Sequence, residues 1–149
     1  MSVLHRDLKL GNVFMGNNMQ LKIGDFGLAT ELKKGERRKS FCGTPNYMAP
    51  EVVLNNHKIG GGQGQEYGLG VDVWALGLFM YNFIEGKNPF HNGDITRTYN
   101  RIIKGDFDFT SDQVRWLNGR PSVSKEAKDL ISRLLKVNPA ERLTFDQIM

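Results

Sequence analysis

The 149-residue sequence predicts an α+β fold, mainly helical, with a small β ribbon near its start. Three observations carry that prediction. Short apolar pieces at 13–15 and 20–23 flank the turn sequence GNNM. Residues 71–85 are apolar on nearly every face, the pattern of a helix buried in the middle of a domain. After Ser124, residues Ala127, Leu130, Ile131, Leu134 and Leu135 recur at helical spacing.

Each element has a local reason. Asn17 and Asn18 suit a hairpin turn because Asn tolerates positive φ. Residues 31–40, ELKKGERRKS, are polar and basic, and Gly43, Pro45 and Pro50 interrupt regular structure, so 25–50 reads as one long ordered loop. Pro50 is tolerated in a first helical turn and marks a short helix. Residues 55–70, with Gly60, Gly61, Gly62, Gly64, Gly68 and Gly70, read as a flexible surface insertion. Those glycines match neither G-x-G-x-x-G nor a P-loop. Residues 94–104 form an amphipathic helix with Ile95, Tyr99, Ile102 and Ile103 on one side, and Ser124 is the N-cap of the next. Thr144 to Gln147 is a capping-box sequence whose helix has barely begun at Met149.

Composition excludes several classes. The net charge of +4, from 20 basic and 16 acidic residues, is too small to imply nucleic acid, and no binding motif accompanies the basic loop. A single cysteine, Cys42, rules out a disulfide within the chain and fits a reducing compartment. Its basic neighbours could lower the thiol pKa, but an inert small side chain is the better reading. The opening residues lack the apolar core of a signal peptide, and the longest apolar run, 73–84, has twelve residues where a membrane span needs about 20. The expectation is an intracellular protein with no membrane or nucleic-acid partner.

The chemistry concentrates in HRDLKLGN, residues 5–12, and in Asp25. Asn12 and Asp25 offer the hard oxygen ligands that Mg²⁺ prefers, enough for a nucleotide-bound metal and too few for a dedicated cage. Asp7 is then free to accept the proton of a hydroxyl and aim its oxygen at phosphorus. Lys9 could neutralise charge on the transferring group; alone it would read as a surface lysine.

HRDLKLGN, then DFG thirteen residues beyond Asn12, then APE at 49–51, resembles the catalytic core of a eukaryotic-type protein kinase. DVWALG at 72–77 and NPAERLT at 138–144 extend the likeness along essentially the whole chain. Lys9, with Thr44 in the substrate-side loop, resembles the serine/threonine class, and HRDLKLGNVF, KIGDFGLAT and FCGTPNYMAPEVV look most like polo-like kinases. The resemblance implies that Asp7 is the catalytic base, that Asn12 and Asp25 bind Mg²⁺ on ATP, and that Lys9 contacts the γ-phosphate. It implies an activation segment over 25–51, with an activating phosphosite at Ser40 that an upstream kinase modifies and Arg6 pairs with. The other reading of Ser40 is an unmodified residue in a solvated basic loop. Glu51 and Arg142 would form a buried ion pair, Asp72 would hold the catalytic-loop backbone, and His5 would be a packed structural residue.

The kinase pattern also calls for a glycine-rich loop, a strand lysine, its partner glutamate and an adenine-binding hinge. None lies in residues 1–149, because HRD begins at residue 5. The expectation is a partial kinase domain, a C-lobe with the N-lobe absent, that phosphorylates protein Ser/Thr hydroxyls as a full-length product and is inactive by itself. The alternative is a non-catalytic truncated kinase that binds or competes for partners.

Overall fold

The computed structural model describes residues 2–57, 59, 61 and 64–149. Its elements run β1 (Ser2–Leu4), β2 (Val13–Met15), β3 (Leu21–Ile23), β4 (Thr30–Leu32), α1 (Pro50–Val53), α2 (Gly70–Glu85), α3 (Ile95–Lys104), α4 (Asp112–Leu117), α5 (Lys125–Leu134) and α6 (Phe145–Ile148). The strands make two separate antiparallel ribbons, β1 with β4 and β2 with β3.

The β2–β3 ribbon closes through Asn18 and Met19, both at positive φ (59° and 57°), and Gly16 donates to the Gln20 carbonyl at 2.7 Å. An asparagine in the left-handed region is what the sequence leads one to expect there. The helix caps also follow the sequence. Asp94 accepts from Arg97 N–H, Ser124 accepts from Ala127 N–H, and Thr144 and Gln147 make a reciprocal capping box.

α2 is the axis of the fold. Trp74, Leu78 and Tyr81 are almost fully buried on it. Trp74 stacks on Phe90 at 5.5 Å, and Tyr81, Phe90, Phe107 and Phe109 form a chain of tilted and edge-on ring contacts. α5 lies against α2 closely enough that a Cβ on Gly77 would stand 2.9 Å from Leu134 Cβ and Leu135 Cδ2, so only glycine fits there. Gly86, at φ 74°, ends α2 in the left-handed conformation that favours glycine.

Three features depart from the sequence reading. The 25–50 stretch is not one loop: β4 pairs with β1 in the register Ser2↔Leu32, Val3↔Glu31, Leu4↔Thr30. A three-residue strand with one inward apolar side chain, Leu32, carries no alternation signal, and its partner lies far away in sequence. α4 went unforeseen for a similar reason. It is six residues long and is held by an ion pair between Arg115 and Glu85 at 3.0 Å, both buried. The 55–70 insertion is not uniformly a surface loop either, because Tyr67 is 2% exposed and pairs with Arg38. Gly60 and Gly62 lie outside the described residues.

One long-range pair ties the two ends of the helical region. Arg142 donates to Glu51 Oε1 at 2.9 Å and Oε2 at 3.1 Å, and its guanidinium lies 5.2 Å from the Trp74 ring. Further bonds to the Lys136 carbonyl leave the guanidinium well satisfied. Removing one partner strands a buried charge. Glu51→Gln is therefore expected to destabilise the fold by about 3–5 kcal/mol in urea denaturation, with the double variant Glu51→Gln/Arg142→Met recovering part of the loss.

Candidate active site

The site starts where β1 ends. Leu4 is fully buried, and the chain then turns so that the backbone N–H groups of His5 and Arg6 donate to Asp72 Oδ2 (2.7 Å) and Oδ1 (2.9 Å) in the first turn of α2. Arg6 holds φ 68°, a conformation that costs a non-glycine residue about 1–2 kcal/mol. The two bonds to one carboxylate offset that cost. Burial pushes the Asp72 carboxyl upward, opposed by those same N–H bonds.

His5 locks the turn from its other side. Its Nδ1 accepts from Asp7 N–H at 3.3 Å and its Nε2 meets the Gly24 carbonyl at 3.1 Å, a pair of contacts that the Nε2–H tautomer satisfies. The ring also packs on Phe26 at 5.0 Å. His5 is therefore held by ring packing and by hydrogen bonds at both ring nitrogens.

Asp7 is buried and its carboxylate collects four donors. Thr44 N–H and Thr44 Oγ1 bind Oδ1 at 2.9 and 2.6 Å, while Lys9 Nζ binds Oδ2 at 2.8 Å and Asn12 Nδ2 approaches it at 3.3 Å. Lys9 also donates to Thr44 Oγ1 at 2.8 Å. Burial raises the Asp7 pKa, but the bonds from Lys9 and Thr44 outweigh it and hold the carboxyl below its ordinary value. Asp7 is thus an oriented carboxylate at neutral pH. Sequence reading assigned Thr44 to a substrate-side loop. Its bonds to Asp7 bridge positions 37 residues apart, and no local pattern announces them.

The β2–β3 ribbon sets the Asn12 backbone next to the residue that precedes Asp25. The pairing Val13↔Ile23 places Asn12 opposite Gly24, whose N–H donates to the Asn12 carbonyl at 2.9 Å, and Asp25 follows directly. Asn12 gives Nδ2 to the Asp7 carbonyl at 2.9 Å, which leaves its Oδ1 as the open end of the amide. Asp25 is exposed at φ 57° and accepts a long bond, 3.4 Å, from Gly27 N–H. Among the described residues no three His, Cys, Asp or Glu side chains gather. The donor set is one amide oxygen and one carboxylate, both hard and both with free lone pairs. It fits Mg²⁺ that brings its remaining oxygens from phosphates and water.

Arg6 and Ser40 meet as well: Nη1 donates to Ser40 Oγ at 2.9 Å. Gly43 makes this possible. At φ 114° it lies so near Arg6 that a Cβ would come 2.6 Å from the Arg6 carbonyl oxygen. Tyr67, which the sequence reading passed over, stands 2.7 Å from the same Oγ.

A family model described as the protein kinase domain matches residues 1–149. The chain belongs to the protein kinase family. It is 44% identical over 148 residues to the cell cycle serine/threonine-protein kinase CDC5/MSD2 of Saccharomyces cerevisiae, covering 99% of this chain and 19% of that protein. It is 40% identical over the same span to the serine/threonine-protein kinases PLK4 and PLK1 of Xenopus laevis, covering 14% and 22% of them. The chain spans between 13% and 22% of the length of the curated relatives it matches. The chain thus resembles polo-like serine/threonine kinases over 148 of its residues.

The Asp7 arrangement has a measurable signature. A carboxylate whose pKa is lowered by folding adds stability above its unfolded pKa and loses it as pH falls through the folded value. Thr44→Val removes one of the four donors. It is expected to raise the Asp7 pKa toward the ordinary value in a carboxyl NMR titration, and to make the acid-dependent loss of stability smaller and complete at a higher pH.

Proposed function

We propose that this chain is the C-lobe portion of a serine/threonine protein kinase of polo-like type, which transfers the γ-phosphoryl group of ATP to protein hydroxyls. The observation that carries the reading is the Asp7 carboxylate, held by Thr44 and Lys9, with the Asn12 amide bonded to the same residue.

In this reading Asp7 orients the substrate hydroxyl and accepts its proton as the oxygen bonds to phosphorus and ADP departs. Thr44 positions Asp7 through Oδ1. Lys9 reaches toward the transferring group from Oδ2. Asn12 and Asp25 hold Mg²⁺, which when bound neutralises charge on the nucleotide phosphates. Residues 25–51 act as an activation segment, anchored at its far end by Glu51 and Arg142. Ser40, exposed and bonded to Arg6, is the phosphosite that an upstream kinase would modify. A phosphate there brings about −1.5 to −2 charges to a guanidinium already in place. Protein substrates are the partners, with nucleic acid and membranes outside the reading. No described helix is long and apolar enough to cross a membrane. An intracellular location accords with the lone, unpaired Cys42.

Residues 1–149 contain no glycine-rich phosphate loop with its strand lysine, and positioning of reactants can account for roughly 7–11 kcal/mol of a barrier. The 149-residue polypeptide alone is therefore expected to leave casein unphosphorylated, whereas a longer form that supplies those elements phosphorylates it with Mg²⁺ and ATP. In the longer form Asp7→Asn is expected to lower turnover by about 10²–10⁴-fold. Activity of the short form would favour a self-sufficient catalyst. Inactivity of the longer form would favour a non-catalytic, partner-binding product.

A further inference from the structure

Tyr67 comes from the glycine-rich segment, yet its side chain is 2% exposed. Its backbone exchanges two bonds with Arg38, at 2.9 and 2.8 Å. Its hydroxyl donates to the Ser40 carbonyl at 2.8 Å and lies 2.7 Å from Ser40 Oγ. Arg6 Nη1 reaches the same Oγ at 2.9 Å. The guanidinium is pinned there, since Nε donates to the Leu28 carbonyl at 2.6 Å and the Arg6 backbone is bound to Asp72. Ser40 itself is exposed, so an enzyme can reach it.

We propose that Arg6 and Tyr67 together form the phosphate site for phosphorylated Ser40, with the Tyr67 hydroxyl as second donor, so that modification fastens residues 65–70 to the activation segment. The inference rests on the reading of Ser40 as a phosphosite. When a phosphoryl group is transferred from ATP, an Oγ–P bond replaces the Oγ–H bond, the bond to ADP breaks, and the proton leaves to the modifying enzyme. Ser40 then has no hydroxyl proton to share, and the phosphoryl oxygens at neutral pH mainly accept. The Tyr67 hydroxyl turns its one proton from the Ser40 carbonyl to a phosphoryl oxygen, while Arg6 presents Nη1 and Nη2. Burial raises the Tyr67 pKa against the bonds from Ser40 and Arg6, so the phenol keeps that proton. A charge-assisted bond of this kind is stronger than the neutral contact it replaces. The ring need not move far, because it already touches the oxygen that becomes the phosphoester.

The test places phosphoserine at position 40 by genetic encoding in a full-length protein containing this chain, so that no upstream kinase is required. The second phosphate pKa is followed by ³¹P NMR, and removal by a phosphatase is timed, for the parent, Tyr67→Phe and Arg6→Ala. Tyr67→Phe keeps the buried ring and deletes only the hydroxyl. It is expected to raise the phosphate pKa and to speed dephosphorylation about tenfold, the factor carried by one charged hydrogen bond. It is also expected to lower Tm more in the phosphorylated form than in the unmodified one. Parent-like pKa and dephosphorylation in Tyr67→Phe, with Arg6→Ala shifted, overturn the Tyr67 role and leave the Arg6–Ser40 reading standing. An equal Tm loss in both forms reduces Tyr67 to a structural residue and overturns the proposal. A phosphate that behaves in the parent and in Arg6→Ala as it does in a free peptide removes the phosphosite reading itself.

Discussion

Two backbone N–H groups on one carboxylate organise this molecule. Asp72 sits in the first turn of α2 and binds the amides of His5 and Arg6, residues 67 and 66 positions away in sequence. The loop carrying Asp7 and Asn12 is thereby fixed to α2, whose Trp74, Leu78 and Tyr81 lie in the core. Its strained Arg6 backbone persists because burying Asp72 without those amides would leave a desolvated charge unsatisfied. The two N–H bonds offset both the backbone strain at Arg6 and the burial of Asp72.

From that anchor the side chains follow in order. With its backbone fixed, Arg6 can aim its guanidinium at Leu28 and Ser40. Asp7 emerges one residue later, where Thr44 and Lys9 can converge on its carboxylate. Thr44 is delivered by a segment that needs Gly43 to approach Arg6 and needs Glu51, further along, bound to Arg142. Residues 40–51 are therefore tied down at Ser40, Thr44 and Glu51 by three chemically different contacts.

The two halves of the chain are stabilised by different means. In the helical part, buried rings around Trp74, Tyr81 and Phe90 supply apolar area, and α5 packs onto Gly77 with no room for a methyl. The β2–β3 ribbon has little of this: Phe14, Met15, Leu21 and Ile23 are all more than half exposed. Its order comes from its ladder and from the left-handed turn at Asn18 and Met19. It is nevertheless the ribbon that sets the Asn12 backbone next to the residue that precedes Asp25. Asn12 and Asp25 thus stand on a less buried support than Asp7 does.

By itself the sequence determined the periodic and capped elements: α2 from its continuous apolar run, α3 from its spacing, α5 from its spacing and from Ser124, and the ribbon from Asn17 and Asn18. These depend on interactions within a few residues, which a linear pattern records. It also determined the chemistry on offer, since Asp7, Asn12 and Asp25 are recognisable by type and spacing. Only the tertiary structure decided that Thr44 would orient Asp7, that β4 would form against β1, that α4 would be held by Glu85, and that Tyr67 would close over Ser40. Each of these is a contact between residues far apart in the chain, made by short segments with no periodicity of their own. Their energy comes from partners that the local sequence does not name.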